Sequence, residues 1–165
     1  MLSEPTIIER PEQPYVAITE RVTMADIGLI LPDLHPQVGA WLQERGLRAH
    51  GAPFWKYDVI DMAGSMEVEV GVPLTSAVEG DERVRAGIIP AGRYVSATFT
   101  GHPMGLENAT STLLDWASRH ELTWDMARTD VGEVWGARLE IYQSDPTLEP
   151  DMAKWVTELA FRLAH

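Results

Sequence analysis

Glu140 sits in Arg138-Leu139-Glu140-Ile141-Tyr142, where apolar and polar side chains alternate. That period of two is a strand's, so Leu139 and Ile141 share one face and Arg138, Glu140 and Tyr142 share the other. With Leu139 and Ile141 on the core side, Glu140 and Tyr142 look out on the opposite face. Met66 to Leu74 has the same pattern, with Val68, Val70 and Val72 on one face and Glu67, Glu69 and Gly71 on the other. Glu158 repeats Glu69 near the end of the chain. Several carboxylates and aromatic rings facing one trough would suit a lipophilic cation. A desolvated carboxylate attracts an organic cation, and each ring face adds ~0.5–2 kcal/mol. The plainer reading of these acids is a solvated sheet face, with some of them paired to Arg138 or Arg162.

Other chemistries find little support. The five histidines, His35, His50, His102, His120 and His165, include no pair four residues apart and no HExxH frame, so no metal site is expected. His35 precedes a proline and His120 ends a helical pattern, which gives both a structural reading. There is no cysteine, which excludes disulfides, thiolate ligands and thiol nucleophiles. No GxSxG, GxGxxG or phosphate-loop signature occurs, and no cofactor is expected.

The elements that must position these residues come twice. Tyr15-Val16-Ala17-Ile18-Thr19 resembles Tyr94-Val95-Ser96-Ala97-Thr98. Trp41 with Leu47 resembles Trp116 with Leu122, at the same spacing, and Glu69 to Leu74 resembles Glu158 to Leu163. The three matches keep their order, which predicts an internal duplication. Each half reads strand, helix, strand, strand. The first strands are Tyr15 to Arg21 and Gly92 to Thr100. A short turn from Thr23, with Asp26 three residues on, precedes a helix that Pro36 opens as its first residue and Gly46 stops. Leu106, Ala109, Leu113, Trp116 and Ala117 fall at helical spacing, with Arg119 and His120 in the last turn. Phe54 to Asp61 and Met66 to Leu74 form a strand pair. In the second half, Val134 to Gln143 is one strand and Val156 to Leu163 the other. The last segment alone could be a helix, and the repeat favours strand. Residues 75–91 and 144–150 read as connections. Met24 and Met104 follow the first strand of each half, where flexible thioethers at a trough mouth would fit ligands of differing shape. Core packing is the plainer role for them.

The expected fold is therefore α+β: duplicated βαββ units with pseudo-two-fold symmetry, helices on one face of an antiparallel sheet and a ligand trough on the other. A single domain spans 1–165, with pseudo-repeats at about 4–78 and 88–165. Thirteen Lys and Arg against 25 Asp and Glu give a net charge of −12, which argues against nucleic acid as a partner. It admits cationic small molecules, and it also simply keeps a protein soluble. No signal peptide or membrane span is apparent, so a cytoplasmic location is expected. Oligomeric state is not legible.

Ala52-Pro53-Phe54, Met66 to Pro73, Ile89-Pro90-Ala91-Gly92, Glu140 to Pro146 and Trp155 to Leu159 together resemble the GyrI-like small-molecule-binding family. That family includes effector-binding domains of multidrug-responsive transcription activators. The resemblance implies a duplicated βαββ fold and a trough for bulky, flat, often cationic aromatics around a central glutamate. Residue by residue, it implies that role for Glu140, an aromatic neighbour in Tyr142 and the closing-strand acid in Glu158. Where the family often has an aromatic after Gly-Pro, Gly101-His102-Pro103-Met104 has methionine, and Trp55 and Trp135 would have to compensate. Alternation puts Trp135 on the core face unless a bulge intervenes. The resemblance also implies an alternative, a hydrolase that opens electrophilic cyclopropane rings of DNA-alkylating natural products with a glutamate-activated water. A transcription regulator would need a DNA-binding segment for which the repeats leave no room, and a gyrase-type inhibitor would want clustered acids where these are spread.

Overall fold

The computed structural model describes residues 1–61 and 63–165. In chain order the strands are β1 (Thr6–Arg10), β2 (Gln13–Val22), β3 (Phe54–Ile60), β4 (Met66–Pro73), β5 (Arg85–Ile89), β6 (Gly92–Thr100), β7 (Met126–Thr129), β8 (Gly132–Trp135), β9 (Arg138–Tyr142) and β10 (Val156–Arg162). The helices are α1 (Ile27–Ile30), α2 (Leu34–Glu44) and α3 (Leu106–Arg119). All strands belong to one antiparallel sheet whose main path runs β1-β6-β10-β9-β3-β4-β2-β5. That order is a palindrome of two units, β2-α2-β3-β4 and β6-α3-β9-β10, joined edge to edge where β3 meets β9. The flanking strands are exchanged: β1 pairs with β6 of the second unit and β5 with β2 of the first.

The duplication extends to hydrogen-bond register. Thr19 faces Glu69 between β2 and β4, and Thr98 faces Glu158 between β6 and β10. Both helices end on the same device. Leu47 N–H donates to the Leu42 carbonyl and Gly46 N–H to that of Gln43, while Leu122 donates to Ala117 and Glu121 to Ser118. This pair of bonds is the Schellman motif, which needs a left-handed residue just past the helix. Gly46 supplies it at φ +66° and Glu121 at φ +57°. The residue before each of these lies against the preceding tryptophan: Arg45 over Trp41 at 3.9 Å and His120 against Trp116 at 4.1 Å.

α2 and α3 cover one face of the sheet. Leu34, Val38 and Leu42 of α2 and Leu106, Ala109 and Leu113 of α3 share a core with Val68 and Val70 of β4 and Leu159 and Phe161 of β10. The other face carries a second, smaller core of Tyr15, Phe54, Tyr94, Leu139, Ile141 and Ala160. The sheet is thus apolar on both sides at its centre.

Several sequence expectations are corrected. Val134 to Gln143 is two strands, because Gly136 and Ala137 break it. Gly136 N–H donates to the Asp125 carbonyl, and a Cβ there would collide with the Asp125 carboxylate, so β8 turns aside to pair with β7. The connection 75–91 contains β5, and the N-terminal segment contains β1. Neither edge strand has the alternation that marks a half-buried one. α2 begins at Leu34, which puts Pro36 at its third position, where its missing N–H still costs no helical bond. Val156 to Leu163 is extended, as the repeat favoured.

Candidate functional site

β3 and β9 are paired over only three positions: Phe54 with Ile141, Trp55 with Glu140 and Lys56 with Leu139. The strand equivalences put Trp55 of the first unit and Glu140 of the second at the same place, since Trp55 faces Val70 as Glu140 faces Leu159. The pseudo-two-fold axis therefore passes between them. An indole and a carboxylate confront each other where a perfect duplication would set two identical side chains. Two residues on, the units agree again, with Tyr57 and Tyr142.

Glu140 is 8% exposed. Both phenols donate to its Oε1, Tyr142 at 2.6 Å and Tyr57 at 3.0 Å. Among the described residues no side chain bonds Oε2, and no Lys, Arg or His lies within salt-bridge distance. Burial pushes the Glu140 carboxyl above the ordinary carboxylate range, against the opposing pull of the two phenols and of Arg138. Burial, and then the adjacent carboxylate, raise both tyrosines. The nearest cation by field is Arg138, which is itself held among rings: its guanidinium lies 4.7 Å from Phe161, 4.8 Å from Trp135 and 5.9 Å from Tyr57. The protein already encloses one cation in aromatic faces beside this carboxylate.

Trp55 closes the other side. Its ring stands edge-on to Tyr142 at 5.1 Å, and its Nε1–H donates to His35 Nε2 at 2.9 Å. An indole nitrogen can only donate, so Nε2 of His35 is the accepting nitrogen and the imidazole is neutral, with its proton on Nδ1. Burial also lowers the His35 pKa. His35 is carried in by the first turn of α2.

The candidates separate into groups. Glu140, Tyr142 and Trp55 form one cluster. They lie on the helix-covered face with Val68 and Val70, not across the sheet with Glu67 and Glu69. Leu139 and Ile141 do pack in a core, but in the smaller one on the reverse face. Glu69 is on that reverse face, where it accepts from Tyr15 at 2.8 Å and pairs with Lys56 at 3.1 Å. Glu158, its counterpart, accepts from Ser96 at 2.8 Å and pairs with Arg10 at 3.2 Å. Glu67 pairs with Arg21 at the surface. Trp135 is buried against Trp124 and Phe161 in the helix-side core, not on the face of Leu139 and Ile141 where unbroken alternation would put it, because the strand breaks at Gly136 and Ala137. Its outer side borders a hollow of about 460 Å³ shared with Trp124, Met126 and Val134. Met24 and Met104 stand out in solvent, 60% and 86% exposed, and neither packs against the Glu140 cluster. Sequence reasoning missed Tyr57 and His35. Tyr57 was within reach through its spacing from Trp55, which matches that of Tyr142 from Glu140. His35 could be found only by folding α2 onto β3. Among the described residues no group of three or more His, Asp or Glu side chains is placed to hold a metal, and no helix is long and apolar enough to cross a membrane.

Comparison with known proteins fits this geometry. A search of curated proteins found no match. EcmrR resembles the chain in an EcmrR–DNA complex, with 21% identity, TM-score 0.76 and 97% of this chain covered; the chain spans 57% of that protein's chain. Against the isolated EcmrR C-terminal domain, identity is 20% and TM-score 0.70, with 98% and 97% of the two chains covered. SAV2435 bound to tetraphenylphosphonium matches at 13% identity and TM-score 0.68 over 98% of this chain and 94% of that one. A hydrolase from Listeria innocua matches at 13% identity and TM-score 0.63 over 98% and 92%. At these identities the likeness is one of fold. The family model for the GyrI-like small molecule binding domain matches residues 3–164, and the chain belongs to that family.

Proposed function

We propose that the protein binds bulky, flat, lipophilic cations, with Glu140 as counter-ion and Trp55, Tyr57 and Tyr142 as the aromatic walls. The observation that carries this is the bonding of Glu140. Two phenols fix Oε1, Oε2 is left for a guest, and the carboxylate is buried without a paired cation. A buried charge with no partner is costly to the free protein, and an organic cation entering beside it relieves that cost. At ~4 Å the attraction is about 4 kcal/mol in a partly buried setting, and a ring face adds ~0.5–2 kcal/mol. The tetraphenylphosphonium seen on SAV2435 is a bulky lipophilic cation, propeller-shaped and not flat, on the same fold. Met24, Met104 and Trp135 stay outside the inner walls, where the methionines can meet only the outer parts of a ligand. Glu69 and Glu158 act through the reverse face, as stabilisers of the sheet.

Glu140→Gln tests the reading. It keeps shape and removes charge. Affinity for rhodamine-type dyes or tetraphenylphosphonium, read by quenching of tryptophan fluorescence, is expected to fall by about 1–3 kcal/mol, while a neutral aromatic of similar shape binds as before. Equal affinity of the variant and the parent for cations refutes it.

A hydrolytic reading rests on a second property of the same group. The carboxyl raised by burial is a better base than an ordinary glutamate, and its free Oε2 can take a proton from a water whose oxygen then bonds to a strained ring carbon as a cyclopropane C–C bond breaks, its electron pair passing into the ligand's conjugated carbonyl system, which takes up a proton. Product formation from a neutral cyclopropane-bearing aromatic by the parent, lost roughly 10²–10⁴-fold in Glu140→Gln with binding retained, is the result that selects this reading.

A further inference from the structure

The Trp55–His35 pair has a geometry that stacking alone does not explain. The two rings are 23° from parallel with centroids 6.3 Å apart, yet Nε1 and Nε2 are 2.9 Å apart. Rings lying face to face are closer than this at their centroids, and an N–H donates in its own ring plane. The rings are therefore joined edge to edge, side by side in a nearly common plane. Tyr142 stands at 73° to Trp55 and 84° to His35. It is a wall upright against both. The tyrosine hydroxyl at the end of that wall is the one bonded to Glu140.

We infer that His35 is a specificity-determining residue: it extends the Trp55 indole into a two-ring platform that selects planar, fused-ring cations over propeller-shaped ones of equal charge. The inference rests on the reading of Glu140 as the ligand's counter-ion. A fused tricyclic system spans more than one indole, and the imidazole supplies the added area with its orientation fixed by a hydrogen bond. A tetraphenyl cation presents one ring at a time and gains nothing from the second half of the platform. The corresponding residue of the second unit, at the spacing that relates Trp41 to Trp116, is Thr110, which is buried and has no ring. The platform exists on one side of the axis only, so a planar ligand has one preferred side.

The test compares two monocations, the planar dye acridine orange and tetraphenylphosphonium, on the parent protein and on His35→Leu, His35→Gln and Glu140→Gln. The indole Nε1–H resonance of Trp55 is followed by NMR without ligand, assigned with Trp55→Phe. His35→Leu is expected to shift that resonance toward its solvent-exposed position and to weaken acridine orange about tenfold, the loss of one aromatic contact with its area. Tetraphenylphosphonium should change by less than about threefold. His35→Gln restores an acceptor without a ring, so it should return the resonance while leaving acridine orange weak. Equal effects of His35→Leu on both cations, or none on either, overturn the platform. So does an unmoved indole resonance. If Glu140→Gln leaves both affinities intact while His35→Leu still changes their ratio, the counter-ion reading fails and the platform stands.

Discussion

The two βαββ units agree in register and helix caps and differ most at the axis where β3 meets β9. Register, helix caps, the cation or imidazole beside each cap tryptophan, and the tyrosines at 57 and 142 are shared. At the axis the first unit has Trp55 and the second Glu140; above it, α2 has His35 and α3 has Thr110. On the reverse face Lys56 corresponds to Ile141 and completes an ion cluster that the second unit lacks. A duplicated scaffold needs only the common features to fold. One carboxylate and one indole at the axis make the seam asymmetric, which two copies of either would not.

The comparison can be broken most severely at Lys56. It is 8% exposed and contacts both Asp58 and Glu69. Lys56→Met, toward the apolar residue of the other unit, should destabilise the protein by about 3–5 kcal/mol in urea unfolding, because two buried acids are left facing each other. Dye affinity should hold under native conditions, since the cluster is on the reverse face.

Next in size is a pH effect on binding. Burial raises the Glu140 carboxyl, and a cation is favoured by its ionised form only. Affinity for tetraphenylphosphonium should be full above that raised value and fall by up to tenfold per unit of pH below it. A neutral aromatic should show no such slope in the same titrations.

Asp58 sharpens the contrast between the faces. Burial, and then the bond to and charge of Glu69, push it up to about 8, while Lys56 pulls the other way; Glu69 is held below its ordinary value, burial notwithstanding, by the Asp58 bond and Lys56. A carboxyl whose folded value is raised contributes stability that is present below its unfolded value and lost as pH rises through the folded one. Unfolding free energy of the parent, measured against that of Asp58→Asn, should decline between about pH 4 and 8 and level off above. A difference that does not vary over that window shows that Asp58 is not raised in the folded protein.

The smallest effect makes the two units more alike. Glu121 adopts the left-handed conformation that Gly46 adopts freely. Glu121→Gly should stabilise by up to about 1 kcal/mol, and Gly46→Ala should destabilise by about the same, both readable as shifts in Tm.

Much of the fold was legible from residues. The alternation of Val68, Val70 and Val72, the paired Trp-to-Leu spacings and the Gly46 stop established strands, helices and a twofold pattern in their correct order. The repeat also decided Val156 to Leu163, which is ambiguous by itself, and Glu140 and Tyr142 were found as neighbours because a strand's period places them together. What alternation could not decide is which face of β9 meets the helices. Leu139 and Ile141 are buried, but so is Glu140, with Tyr142 half-buried beside it, because the sheet is packed on both sides at its centre. The period separates two faces without naming them; only the pairing of Glu140 with Leu159 and of Trp55 with Val70 does so. The remaining partners lie too far apart in sequence for any local pattern to join them. His35 reaches Trp55 because α2 folds back over β3, and Tyr57 reaches Glu140 across 83 residues because β3 and β9 meet at the axis. Sequence set the elements and their repetition, since those follow from short-range sterics and burial; the site was set by the seam between the units, where contacts are made only once both have folded.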